Sequence, residues 1–195
     1  MRDRLETERL VLRQLTLDDA KALSHLGGDL DIARMTGSFP HPFPLLSAEF
    51  KIMHMQQLRR RGLAYPYAIT ENGGGLMGIT DLFRRDENSA FELGYWIGKP
   101  YWGHGYMTES CQALITEAQK TLGVTRLVAG VYEDNPASQQ VLFKLGFEHN
   151  GTEGMYFSMA RLQKANSLSF QLDLAAQDTA SALHARAKPV NTDCI

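Results

Sequence analysis

The chain reads as a mixed α/β (α+β) domain: a twisted, mostly antiparallel sheet of about seven strands flanked by about four helices. Three observations predict it. Three strand-like segments between residues 64 and 98 are joined only by short polar connections, the mark of an antiparallel meander. After residue 98 the apolar period lengthens, and Met107, Cys111, Leu114, Ala118 and Leu122 recur at helical spacing. A further strand-like run at 125–133 follows that helix, and a strand reached through a helical crossover lies parallel to its predecessor, here 89–98. At 195 residues the chain is long enough to bury one domain-sized core.

The elements follow in order. "ERLVLRQLT" (8–16) is leucine-rich and partly alternating, hence a first strand. In "TLDDAKALSHLGG", Thr16 and Asp19 have capping-box spacing and Gly27-Gly28 mark a helix stop. Three prolines make 37–47 a loop, after which Ser47 is positioned to cap a helix to about Arg61, closed by Gly62. Strands at 64–71 and 76–84 flank "NGGG", where Asn-Gly signals a hairpin because such turns need positive φ. The third strand, 89–98, follows the polar turn "RRDEN". Gly123 ends the next helix, and 134–147 is a helix with Asn at its cap and Pro at its first position. Weaker strands are expected near 154–160 and 167–174. The domain therefore spans 1–174, and the Ala-rich, polar stretch 175–195 reads as a tail.

Composition excludes several functions. A net charge of −2 leaves no nucleic-acid footprint, and Arg59-Arg60-Arg61 reads as a solvated helix end. Cys111 and Cys194 have no framework spacing, which fits a reducing compartment rather than a disulfide scaffold. The start "MRDRLETERL" lacks the apolar core of a signal peptide, and no run approaches the roughly 20 apolar residues of a membrane span. The expected setting is the cytoplasm, without membrane or nucleic-acid partners. The six histidines show no ligand spacing, so no metal is expected.

The chemistry concentrates in "PYWGHGYMTES" (100–110). A strand, a glycine-containing loop and a helix start form an anion site, because unpaired amides point outward and the helix dipole favours negative charge. Gly103 and Gly105 let a phosphate approach without Cβ atoms in the way. No Gly-Lys-Ser or Gly-Lys-Thr occurs, which removes a Walker loop. The run Gly103-His104-Gly105-Tyr106-Met107-Thr108 lacks the third glycine of a dinucleotide fingerprint. On the loop alone, a glycine-rich helix start without any ligand remains the alternative.

"ELGYWIGKPYWGHGYMTES" and "NPASQQVLFKLGF" together resemble the coenzyme A signature and following helix of the GNAT superfamily of N-acetyltransferases, and more closely its RimJ/RimL-like branch. The resemblance covers residues 5 to about 174. It implies a GNAT fold splayed between strands 89–98 and 125–133, with amides from Gly103 to Thr108 (His104, Gly105, Tyr106 and Met107 between them) on the pyrophosphate of acetyl-CoA. It implies that the pantetheine arm lies in the gap like an added strand, paired with main-chain groups of Trp96 and Ile97, and that Asn135 touches the arm. The broad superfamily usually has Gln or Arg where this chain has Pro100, so amides carry the phosphates.

Acetyl transfer needs a neutral amine, a polarised thioester carbonyl and a proton for the departing thiolate. The resemblance places a serine at Ser138, in the first helical turn, for that proton; other branches use a tyrosine where this chain has Leu142. A helix-start serine bonding its own backbone is the plain alternative. Strand alternation puts Glu92 on one face with Gly94 and Trp96, which makes it the candidate base, directly or through water; a solvated strand carboxylate is the alternative. Glu153 is a second candidate. His104 reads as a coenzyme neighbour and Glu109 as a helix-dipole partner. Tyr95, Trp96, Tyr101 and Trp102 line the cleft or fill the core, and the prolines of "FPHPFP" (39–44) suit one lip of an acceptor site and equally any ordered loop. The acceptor expected from the resemblance is a protein N-terminus, with a small-molecule amine close behind. A non-catalytic acyl-CoA-binding module and an unusual nucleotide-binding protein are the rival classes. Edge strands near the C-terminus offer a surface for a homodimer.

Overall fold

One eight-stranded sheet organises the chain, in the order β1-β2-β3-β4-β5-β6-β8-β7. The computed structural model describes residues 1–84 and 86–175; the expected tail lies, apart from Ala175, outside the described residues. The strands are β1 (Arg4–Glu6), β2 (Val11–Arg13), β3 (Tyr67–Thr70), β4 (Gly78–Phe83), β5 (Phe91–Ile97), β6 (Arg126–Tyr132), β7 (Glu148–Ser158) and β8 (Gln163–Asp173). The helices are α1 (Ala20–Gly27), α2 (Leu30–Ala33), α3 (Leu45–Arg60), α4 (Tyr106–Leu122) and α5 (Pro136–Lys144). All neighbouring strands are antiparallel except β5 and β6.

Four local expectations change. The first strand is a hairpin, β1 and β2, because the Thr7 amide donates to the Leu10 carbonyl at 3.0 Å and the Leu10 amide to Thr7 Oγ1 at 2.9 Å. The short helix α2 follows Asp29, whose carboxylate accepts the Asp31 amide at 2.9 Å. Pro44, in extended conformation, stands at the start of α3, so Ser47 lies inside the helix rather than capping it. Between β3 and β4 only Gly73 has positive φ, at 74°, so the connection is a wider loop than a two-residue hairpin turn.

Alternation along the strands separates two cores. Tyr67, Ile69, Leu82, Phe91 and Leu93 face Met107, Cys111, Leu114, Ile115 and Ala118 of α4 and Leu142 of α5. Ala68, Ile79 and Trp96 face Ala20 and Leu23 of α1, Ile32 of α2, Ala48 and Ile52 of α3, and Phe39 and Phe43 of the loop before it. The loop 39–44 is thus pinned to the sheet by two buried rings.

β5 and β6 pair only at Phe91 with Leu127 and Glu92 with Val128. Both strands run on, to Ile97 and Tyr132, each held by its outer neighbour but no longer paired to the other. The sheet opens there, with Glu92 on its last rung.

Candidate active site

The mouth of this gap is the start of α4. Gly105 precedes the helix with φ of 79°, Gly103 has φ of 78°, and no side chain caps the helix. A Cβ on Gly103 would meet nothing within 4 Å. The amides of Tyr106, Met107 and Thr108 are the first three of the helix, which have no intrahelical partner by construction. His104 and Gly105 are exposed beside them, whereas the Met107 side chain is buried, so its amide alone can serve a ligand. These features fit a phosphate group held by main chain.

The loop is braced from behind. Arg9, from the β1–β2 turn, pairs with Glu109 at 2.6 Å, donates to the His104 carbonyl at 3.0 Å and stacks over Tyr106 at 4.8 Å. Burial opposes the charge on Glu109, yet the Thr7 hydroxyl and Arg9 hold its carboxyl below the usual range. Glu109 is therefore a tether as well as a dipole partner. Tyr106 stacks on His104 at 5.5 Å and donates to Glu71 at 3.0 Å.

The gap's inner wall follows from ladder parity. The Gly98 amide donates to the Met77 carbonyl at 2.8 Å, and Trp96 opposes Ile79 two residues on. Trp96 peptide groups therefore point into the β4 ladder. Those of Tyr95 and Ile97 point toward the gap, and the Ile97 carbonyl accepts the Trp102 indole N–H at 2.8 Å. Of the two residues expected to pair with the arm, Ile97 faces the gap with its main chain; Trp96 does not, and Tyr95 takes that place.

Across the gap, Asn135 caps α5 by accepting the Ser138 amide at 3.1 Å. The Tyr95 hydroxyl lies 3.0 Å from the Ser138 carbonyl and 2.9 Å from Ser138 Oγ. A carbonyl only accepts, so the phenol donates there and its oxygen is open to the serine hydroxyl. Burial pushes the Tyr95 pKa well up, so the phenol keeps its proton. Strand periodicity alone had Tyr95 only as one aromatic among four; its link to Ser138 spans 43 residues and has no local signal. Cys111, also in this core, is fully buried with its thiol pushed up to about 12, which leaves it without a thiolate for acyl transfer.

On the opposite face of β5, alternation places Glu92, half-buried, with Gly94 and Trp96. Asp81 opposes Gly94 from β4 on the same face. Its carboxylate accepts the Tyr65 amide at 3.1 Å, and burial pushes its pKa up to about 7. Nothing in the sequence singled out Asp81. Glu153 sits exposed on β7, the outermost strand, away from the gap. Among the described residues, no group of three metal-ligating side chains occurs and no helix is long and apolar enough to cross a membrane.

Comparison with known proteins bears on this geometry. The family described as acetyltransferase (GNAT) domain matches residues 9–148. The chain is 30% identical over 151 residues to the N-acetyltransferase p20 of Bacillus licheniformis, covering 75% of this chain and 83% of that protein. It is 26% identical over 156 residues to the ribosomal protein uS5-alanine N-acetyltransferase of Escherichia coli, covering 76% and 79%. Among solved structures, RimL, the ribosomal L7/L12 α-N-protein acetyltransferase in complex with coenzyme A, superposes with a TM-score of 0.73 at 21% identity over 87% of this chain and 97% of that one. The ribosomal-protein-S5-alanine acetyltransferase of Vibrio fischeri gives 0.74 at 18% identity over 87% and 96%. With its split sheet and bare helix start, the chain belongs to the GNAT family, as an acetyl-CoA-dependent N-acetyltransferase.

Proposed function

We propose that the acceptor is the α-amino group of a protein N-terminus, and that it attacks the thioester directly. The relatives named for ribosomal-protein acetylation support this acceptor, and the gap between β5 and β6 carries the reading of the site. The phosphates of acetyl-CoA lie against the amides from Gly103 to Thr108. The arm runs down the gap beside Tyr95 and Ile97, with Asn135 at its far wall. Its thioester comes to the level where Tyr95 and Ser138 meet.

The proton inventory follows. The neutral amine attacks the carbonyl carbon, the C–N bond forms and the C–S bond breaks. The leaving thiolate takes a proton from the Ser138 hydroxyl, which regains one from solvent; the Tyr95 phenol, bonded to the Ser138 carbonyl and hydroxyl, keeps its own proton and holds the serine in place. Glu92, on the last rung below the gap, receives the proton shed by the nitrogen as the amide forms, directly or through water. Cys111 takes no part. A cytoplasmic setting suits these unpaired thiol chemistries. Exposed Met155 and Phe157 on the outermost strand β7 support a homodimer through that edge.

The test is calorimetric titration with acetyl-CoA, with ATP as control, followed by thiol release in the presence of peptides bearing free or blocked N-termini. Micromolar binding of acetyl-CoA alone and turnover only with free N-termini are expected. Turnover with polyamines but not peptides would replace the acceptor; binding without any turnover would favour a sensing module.

A further inference from the structure

A polar cluster stands on the face of the sheet opposite the Tyr95–Ser138 contact. Trp96 is 9% exposed, and its indole Nε1 is buried without a hydrogen-bond partner. Buried polar groups are almost always paired, so an orphaned donor asks for a ligand. The Trp96 ring meets Phe39 edge-on at 5.4 Å. Lys51 Nζ lies over the other part of this assembly, 6.0 Å from the Phe39 centroid, and donates to Ser38 Oγ at 2.8 Å. Lys51 in turn faces Asp81, which shares the sheet face of Trp96 and Glu92. The Trp96 ring and the Lys51 cation thus both lie against Phe39, and Asp81 and Glu92 share the sheet face of Trp96.

We propose that this cluster is the acceptor subsite: Asp81 takes the first proton from the incoming ammonium, and the Trp96 indole donates to the carbonyl next to that nitrogen. The inference rests on the reading of an α-amino acceptor given above and names the groups that recognise it. An ammonium loses two protons on the way to an amide. One must leave before attack, since only the neutral nitrogen has a lone pair. The second leaves as the C–N bond forms. Two carboxylates on one face, Asp81 and Glu92, match the two transfers, and the thiolate is protonated separately by Ser138. A compound with an amine and an adjacent carbonyl, as in a peptide N-terminus or an amino-acid amide, satisfies both Asp81 and Trp96. A simple diamine satisfies only Asp81.

The groups facing Asp81 define what a titration would see. Lys51 and Arg59 approach from α3, the Tyr65 amide from the segment before β3, and Glu92 lies diagonally across on β5. A general base works best with a pKa near the working pH, and burial places Asp81 there.

The experiment compares the parent, Asp81→Asn and Trp96→Phe. Probes are a short alanine-led peptide with a free N-terminus and putrescine, with thiol release followed from pH 6.5 to 9.5 and acetyl-CoA affinity by calorimetry. Asparagine keeps an oxygen for the Tyr65 amide, so the fold is preserved. Asp81→Asn is expected to keep its acetyl-CoA Kd within twofold and to lose at least thirtyfold in kcat/KM at pH 7. That loss should shrink to severalfold by pH 9, where the amine is neutral unaided. Trp96→Phe is expected to raise KM for the peptide about tenfold and leave KM for putrescine unchanged. Parent-like kcat/KM in Asp81→Asn, or a loss independent of pH, overturns the role of Asp81 while leaving peptide acetylation intact. Equal KM increases for both amines overturn the role of Trp96. A parent enzyme that acetylates putrescine alone, or neither probe, overturns the acceptor reading and the subsite with it.

Discussion

Gly103 and Gly123 stand at opposite ends of α4 in the same left-handed conformation, with φ of 78° and 62°, and a Cβ on either meets nothing within 4 Å. Alanine at each position forces an L-residue into that region at a cost of roughly 1–2 kcal/mol. At Gly123 the whole cost falls on folding. At Gly103 the loop is exposed and relaxes in the free protein, but it must return to its strained form to hold phosphates, with a methyl group now beside them. The same roughly 1–2 kcal/mol then appears in binding, as an acetyl-CoA Kd about 5–30-fold weaker. Gly103→Val, β-branched, lies at or beyond the upper end. Thermal melts paired with calorimetric titration separate the two variants. A folded Gly103→Ala or Gly103→Val with parental Kd would refute the phosphate placement. A Gly123→Ala that lost affinity equally would show that helix stability, not the loop, governs binding.

Three further predictions concern the gap and its floor. Tyr95→Phe removes the hydroxyl on Ser138, so kcat is expected to fall about tenfold while acetyl-CoA Kd stays within twofold; steady-state kinetics with any accepted amine decides it. Ser138→Ala is expected to lower kcat about 100-fold, and parental kcat would remove it from the mechanism. The third is a pH dependence of stability. The Asp81 carboxyl, raised in the folded state from 3.8 to about 7, holds a proton that the unfolded chain has shed across that window. Its contribution to stability therefore falls as pH rises from about 4 to about 7, by about 1.4 kcal/mol per unit at the steepest. The advantage of Asp81→Asn over the parent in guanidinium unfolding should grow from pH 5 to pH 8, and a constant difference would contradict the burial argument.

What could be read in the sequence was what local rules govern. Alternation in "FELGYWIG" fixed which residues of β5 share a face, and the spacing of Gly103 and Gly105 before an apolar 3.6-residue period marked the helix start. Asn135 announced itself as a cap, and it is one. The failures share a different character. Thr7 to Leu10 carries no Gly or Pro, so its turn, held partly by Glu109 at 2.6 Å from Thr7 Oγ1, was invisible without the tertiary contact. The side on which a strand's peptide groups bond depends on register with its neighbour, which moved the gap-facing role from Trp96 to Tyr95. Glu153 resembled Glu92 in sequence, but β7 follows β8 outward and carries it to the rim. Asp81 is an ordinary strand aspartate until α3 brings Lys51 over it.

A sheet that opens in its middle has two inner edges as well as two outer ones. Beyond the rungs at Phe91 and Glu92, the gap-facing peptide groups of β5 and β6 have no strand opposite them. Unpaired strand edges are templates for other chains, and proteins ordinarily blunt them with charge, proline or cover. Here the cover on one side is the Trp102 indole over the Ile97 carbonyl and the Tyr95–Ser138 contact. In the proposed reading the coenzyme's amide-bearing arm supplies the rest, and the cosubstrate would then double as a guard against self-association. On this account the chain is most prone to cluster when acetyl-CoA is scarce, and light scattering on gentle heating should rise earlier in its absence, by more than the shift in melting temperature explains.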